Sequence, residues 1–245
     1  MRIEEFGIEN KTTIFMLHGA NFVHSFGKQY ALAKKYHIVV PHIMGFGNET
    51  DATFETDACV EQLAEYIKSL NKKVVLVGFS LGAQLAFKLV SEYEYLFSSA
   101  ILVSPWLIKE EASMSRMVDL NLKQLRSMKK RCQCNIIGFM NGLISSSVRK
   151  EFVDQMQNVK EETIKNMVDN KITIEDVSDF ANVTIPIIAL AGEKESIDVI
   201  DSVIKLSQVN SNCRYEIWPK AKHNIPIMYA CKFNKLICTF ADKYN

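Results

Sequence analysis

Six short apolar runs, closed by turn signals and separated by helix-length segments, constrain this chain more than any other feature. They cover residues 13–17, 37–40, 73–77, 100–103, 185–190 and 213–218. Most are apolar at successive positions rather than at alternate ones. A strand with one wetted face alternates, whereas a strand buried on both faces does not. Such strands, separated by helices, require a mostly parallel sheet covered on both sides. The helices are read from apolar spacing. Val60, Leu63, Ala64, Ile67 and Leu70 mark one face, and Asp57 near its start suits the helix dipole. Residues 81–93, 197–209 and 227–243 give three more. The fold class is α/β, a central sheet flanked by helices.

The alternation breaks between about residues 107 and 181. No strand pattern is present there. One helical stripe carries Met114, Met117, Leu120, Leu122, Leu125 and Met128, and a later one carries Phe152, Val153, Met156 and Val159. A bare loop of this length would be exceptional in a compact chain. The expected organisation is a core of residues 1–106 and 182–245 with a helical cap inserted at 107–181. Such stripes normally face a core of their own. Their methionines would also suit an apolar acyl pocket, because Met adapts to irregular ligands.

A chain of 245 residues can bury a core of this size. Its formal net charge of +1 gives no sign of a nucleic-acid or membrane-surface partner. Lys129, Lys130 and Arg131 read as a solvated helix end. The first residues lack the apolar centre of a signal peptide, and no apolar run approaches the roughly 18 residues of a membrane helix. A cytoplasmic location is expected, as a monomer or homodimer, with reduced cysteines. Cys132 and Cys134 have no third ligand nearby, so neither a metal nor a cofactor is expected. All six cysteines read as small semi-buried thiols.

The segment Gly78-Phe79-Ser80-Leu81-Gly82 lies directly between a strand and a helix. A turn this sharp crowds the residues two positions either side of the serine, and glycine at both removes the clash. It lifts the Ser80 hydroxyl to a helix N-terminus, whose dipole favours developing negative charge. His18-Gly19-Ala20-Asn21 follows the first strand, and the N–H groups of Ala20 and Leu81 form the natural pair of oxyanion donors, with His18 shaping the loop. His223, between the last strand and the last helix, can serve as general base. His24, His37 and His42 are placed less favourably. The acid should follow the fifth strand, where three carboxylates compete. Glu195 is preferred, Asp198 comes second and Glu193 third. Each also suits a solvated helix start.

With these residues in this order the chain resembles the α/β-hydrolase superfamily, in particular capped esterase- and lipase-like members related to monoacylglycerol lipases and meta-cleavage hydrolases. The likeness runs through nearly the whole chain. Residues 18–20 resemble the family's oxyanion loop and residues 40–47 its Pro-Asp-x-x-Gly-x-Gly segment. Residues 78–82 match its nucleophile turn, 192–195 its acid turn and 223–226 its histidine loop. His42 stands where the family usually has Asp, and Glu195 where the acid is usually Asp. Room remains for one or two strands before Thr13. The family's haloalkane dehalogenases and epoxide hydrolases use Asp at the position of Ser80, and dienelactone hydrolases use Cys. The resemblance therefore implies a carboxylic-ester hydrolase acting through an acyl-enzyme on a small apolar ester. A thioesterase, a lactonase or a carbon–carbon hydrolase would use the same triad. A non-catalytic ligand-binding protein on the same fold is the reading of another class, suggested by the altered acid turn and His42.

Overall fold

The computed structural model describes residues 1–108 and 111–244, with the backbone alone for residues 111–114 and 116. The side chain of Met114 therefore lies outside the described residues. Seven strands form one sheet: β1 (Ile3–Phe6), β2 (Thr13–Leu17), β3 (His37–Pro41), β4 (Val74–Phe79), β5 (Phe97–Val103), β6 (Ile187–Gly192) and β7 (Cys213–Trp218). Their order is β1-β3-β2-β4-β5-β6-β7. Only the edge pair β1–β3 is antiparallel.

Strands β2 to β6 are almost wholly buried because helices cover both faces. On one face Phe15, Leu17, Val39, Leu76, Leu102 and Ala189 pack against α1 (Thr56–Ser69), α2 (Leu81–Glu92) and α7 (Ile197–Val209). On the other, Ile14, Met16, Val75, Val77, Ile101 and Ile188 meet α9 (Ala230–Tyr244) through Phe233, Ile237 and Phe240. This is the period-two division of a pleated strand. Helix α1 starts where the Glu55 side chain accepts the N–H groups of Asp57 and Ala58.

Several boundaries move, for physical reasons. Strand β6 starts at Ile187 rather than Ile185, because Pro186 has no N–H to give to a ladder. Strand β5 starts earlier, at Phe97, through the polar pair Ser98–Ser99. The expected single C-terminal helix is two, α8 (Ile225–Met228) and α9, broken at Tyr229, whose ring packs against Trp218 at 5.9 Å. One strand precedes Thr13.

Between β5 and β6 the described residues form four α-helices, α3 (Glu111–Met128), α4 (Arg131–Met140), α5 (Ser146–Asn158) and α6 (Glu161–Asp169). Leu122, Leu125, Met128, Phe152, Val153, Met156 and Val159 are all buried, and they join the same apolar cluster as the α1 and α2 face of the sheet. Leu120 departs from its stripe and is exposed. Phe152 meets Phe22, which follows β2, edge to face at 5.2 Å. Lys129 is not a solvated end: its ammonium donates to the carbonyls of Gln157 and Val159, capping α5 from outside. Arg131 pairs with Asp154. Cys59, Cys134 and Cys213 are buried, but Cys132 and Cys231 are exposed, against the expectation for all six. No helix among the described residues is long and apolar enough to cross a membrane.

Candidate active site

Ser80, His223, Glu195 and the His18–Asn21 loop arise at the carboxyl ends of parallel strands, the edge where open α/β sheets hold their ligands. Ser80 joins β4, the middle strand, to α2. Its backbone has φ 54° and ψ −116°, a conformation that costs about 1–3 kcal/mol and survives only where its surroundings over-determine it. Several contacts do so here. The Ser80 N–H donates to Val103 O at 2.9 Å, tying the turn to β5. A Cβ on Gly78 would collide with the Gly82 carbonyl, and one on Gly82 with the carbonyl of Leu17. The Ser80 carbonyl accepts the N–H groups of Ala83 and Gln84, which starts α2.

His223 stands in the loop after β7. Its Nε2 lies 3.0 Å from Ser80 Oγ and its Nδ1 lies 2.7 Å from Glu195 Oε2. The side chain of Glu195 is only 2% exposed, against 53% for His223. Burial alone would raise the Glu195 carboxyl. The hydrogen bond and charge of His223, the Gly192 N–H at 2.8 Å and the Ser104 hydroxyl at 2.7 Å outweigh it and hold the carboxyl below its usual range. Glu195 is thus kept ionised behind the imidazole.

The other two carboxylates do different work. Asp198 lies in the first turn of α7, the helix-start position that serves the dipole. Glu193 accepts the N–H of Lys220 at 2.7 Å. Backbone bonds from Glu193 N to Trp218 O and from Lys194 N to Ala221 O complete a stitch between the acid turn and the histidine loop. Gly192 is close to this seam, because a Cβ there would strike the Ala221 carbonyl.

The loop after β2 passes directly over the serine. A Cβ on Gly19 would sit 3.0 Å from the Phe79 ring and 3.5 Å from Ser80 Cβ. Ser25 Oγ accepts the Gly19 N–H at 3.2 Å. His18 is fully buried, with Nδ1 2.8 Å from Gly19 O and Nε2 accepting the Ile43 N–H at 3.0 Å. Those partners fix a neutral ring with its proton on Nδ1. Burial is the main reason its pKa falls to about 3, so the ring stays uncharged in the core. Leu81 is the first residue of α2, where an N–H has no acceptor within its own helix. Ala20 follows Gly19 in the passing loop.

Two residues complete the picture. His42 is fully buried, accepts the Asn48 N–H at 2.9 Å on Nδ1 and lies 3.1 Å from Glu4 through Nε2. It holds the loop after β3 and does not approach the serine. Ser104 was not legible as a site residue. It follows β5 with φ 53°, an unusual backbone shared with Ser80, and turns its hydroxyl onto Glu195. A serine placed between a buried strand and Pro105, on the edge that holds the other groups, was the available signal.

The alpha/beta hydrolase fold model matches residues 12–227, and the chain belongs to that family. Solved structures agree in fold. The thermophilic esterase from Thermogutta terrifontis superposes with TM-score 0.74 at 16% identity, covering 99% of this chain and 93% of that one. The bromoperoxidase from Bacillus anthracis gives 0.77 at 17%, with 98% and 95% covered. The enol-lactonase from Burkholderia xenovorans LB400 gives 0.78 at 13%, with 99% and 96% covered. A comparison with curated proteins gives no sequence match. The three structural neighbours bear names of different chemistries, so the fold leaves the reaction to be argued from the site.

Proposed function

We propose that this protein is a serine hydrolase that cleaves a small apolar carboxylic ester through an acyl-enzyme. The observation that carries the reading is the chain Ser80 Oγ, His223 Nε2 at 3.0 Å, His223 Nδ1 and Glu195 Oε2 at 2.7 Å. His223 takes the hydroxyl proton as Ser80 Oγ attacks the ester carbonyl. The tetrahedral oxyanion is held by the N–H groups of Ala20 and Leu81, and each such donor is worth about 3–4 kcal/mol in the transition state. The alcohol leaves with the proton from His223, and Glu195 stabilises the imidazolium in between. Water then repeats the sequence on the acyl-enzyme, releasing the acid and restoring Ser80.

Helices α3–α6 act as the cap in this reading. Asn141 after α4 accepts a hydrogen bond from Asn224, next to His223, at 2.7 Å, which ties the cap to the histidine loop. Most of the apolar stripes expected to line an acyl pocket are spent on the core. Phe139 and Met140, next to Asn141 in the chain, are among the apolar groups left exposed, as are Ile144 and Met228. The six unpaired cysteines fit a reducing, cytoplasmic setting.

A panel of p-nitrophenyl esters graded by acyl length tests the reading. Short and medium acyl chains are expected to be hydrolysed by the wild type and spared by Ser80→Ala. Thioester, lactone and diketone substrates run in parallel separate the reactions that would use the same triad. The reading fails if no ester is hydrolysed or if S80A retains wild-type rates. The two features behind the non-catalytic reading both have a place in the structure. Glu195 meets His223, and His42 braces a loop.

A further inference from the structure

A second cluster of chemically capable side chains lies away from Ser80, where the insertion meets the first strand. Glu4 comes from β1, His24 from the short 3₁₀ turn Val23–Phe26 after β2, and Glu151 from α5. One donor atom from each lies within 4.8 Å of the other two. His24 Nε2 is 3.9 Å from Glu151 Oε2, and Nδ1 is 4.0 Å from Glu4 Oε2. These separations are too long for hydrogen bonds. The 3.9 Å from Nε2 to Glu151 is near the ~3.4 Å between neighbouring ligands that stand ~2.1 Å from one tetrahedral ion.

The imidazole itself points to a missing partner. The His24 side chain is 9% exposed, and its Nε2 has no hydrogen-bond partner among the described residues. A buried ring nitrogen left so costs free energy and is uncommon. Its other nitrogen is occupied, with Nδ1 3.3 Å from Tyr30 Oη. A proton held there leaves the Nε2 lone pair facing Glu151, with Glu4 at the edge of the same ring, and a hydrogen bond on the second nitrogen is how metal-binding histidines are oriented. Glu4 is arranged similarly. Its Oε1 lies against His42 Nε2 at 3.1 Å, which leaves Oε2 for a ligand. Glu4, His24, Tyr30 and Glu151 line one open cavity of about 450 Å³, with room for water in the remaining coordination positions.

We propose that Glu4, His24 and Glu151 form a divalent metal site that fastens α5 of the insertion to the core. One imidazole nitrogen with two carboxylate oxygens suits Zn²⁺ or Mn²⁺, whereas Mg²⁺ prefers oxygen alone. The ion would also stiffen the loop behind the serine, because Ser25, next to His24, holds the Gly19 N–H. No local pattern marks it, since the three donors come from distant parts of the chain.

Calorimetric titration of the EDTA-treated full chain tests the site, with Mn²⁺ chosen because it has little affinity for the exposed thiols and Zn²⁺ run beside it. One equivalent should bind the wild type and raise its melting temperature. Glu151→Gln, at a half-exposed position that should not disturb folding, and His24→Phe should each weaken binding at least 10-fold and abolish the thermal shift. His223→Ala should bind as the wild type does, which separates this site from the one around Ser80. The proposal is overturned if the wild type shows no saturable binding up to 1 mM of either ion. It is equally overturned if binding survives E151Q unchanged or disappears in H223A.

Discussion

The carboxyl edge of the sheet and the α3–α6 insertion are held by different forces. At the edge, backbone holds backbone: Ser80 N–H to Val103, Lys194 N–H to Ala221, Glu193 N–H to Trp218. Glycines at 78, 82 and 192 allow approaches that no side chain would tolerate. The insertion has no strand to join. It is held by apolar burial and by side chains reaching loop carbonyls, as Asn166 reaches Phe54 at 3.2 Å and Lys160 reaches Asp51 at 2.6 Å. It also leaves Ile136, Phe139, Met140 and Ile144 exposed, whereas the central strands expose almost nothing. A site held by backbone keeps its geometry within tight limits. A region held by side chains can repack.

Substitutions should separate the two regions. The largest effect belongs to the edge. His223→Ala is expected to lower kcat by about 10⁴-fold or more. Its stability should change by less than about 1 kcal/mol, because the ring is half exposed. A large loss of stability in urea would show that the edge is not independent of its histidine. Glu195→Gln should cost about 10³- to 10⁴-fold in kcat, while Asp198→Asn stays near wild type. The reverse ranking would move the acid to α7.

The insertion should show the opposite signature. Phe152→Ala removes a buried ring and should destabilise by about 3–5 kcal/mol, with kcat per folded molecule changed less than 10-fold. Equal damage to kcat would mean that the insertion positions the reacting groups. A smaller effect is expected at Ser104→Ala. Losing a hydrogen bond to a charged group costs about 1.5–3 kcal/mol, so kcat should fall about 10- to 100-fold with little change in KM.

Acid tests the edge in another way. His18 ionises near 6.5 when unfolded but only near pH 3 when folded. The unfolded chain therefore gains a proton first. Stability from this group is whole above pH 6.5 and is lost as pH falls towards 3. Glu195, held below its usual range, adds a further loss below about pH 4.5. Urea midpoints measured from pH 7.5 to 4.5 should decline, and His18→Asn should flatten that decline between 6.5 and 4.5.

This contrast also explains what could be read from the sequence. Strands such as Ile14–Leu17 and Val74–Val77 show themselves because burial on both faces demands unbroken apolar residues. Gly78 and Gly82 show themselves because the turn excludes side chains. Glu195 could be ranked above Asp198 but not separated from it, since both suit a helix start and only the fold turns one towards His223. Ser104 and the Glu193 stitch depend on partners 91 and 27 residues away in the chain, which local patterns do not encode. The insertion's helices were legible from periodicity. That they share one core with the sheet was not, because a stripe does not name its partner.

The central claim is that Ser80 is the attacking residue, activated through His223. Intact-mass spectrometry after treatment with a fluorophosphonate probe tests it most directly. A single adduct should form on the wild type and map to Ser80. It should be absent in S80A and form at least 10³-fold more slowly in H223A. An unlabelled wild type, an adduct elsewhere, or equal rates in wild type and H223A would contradict it.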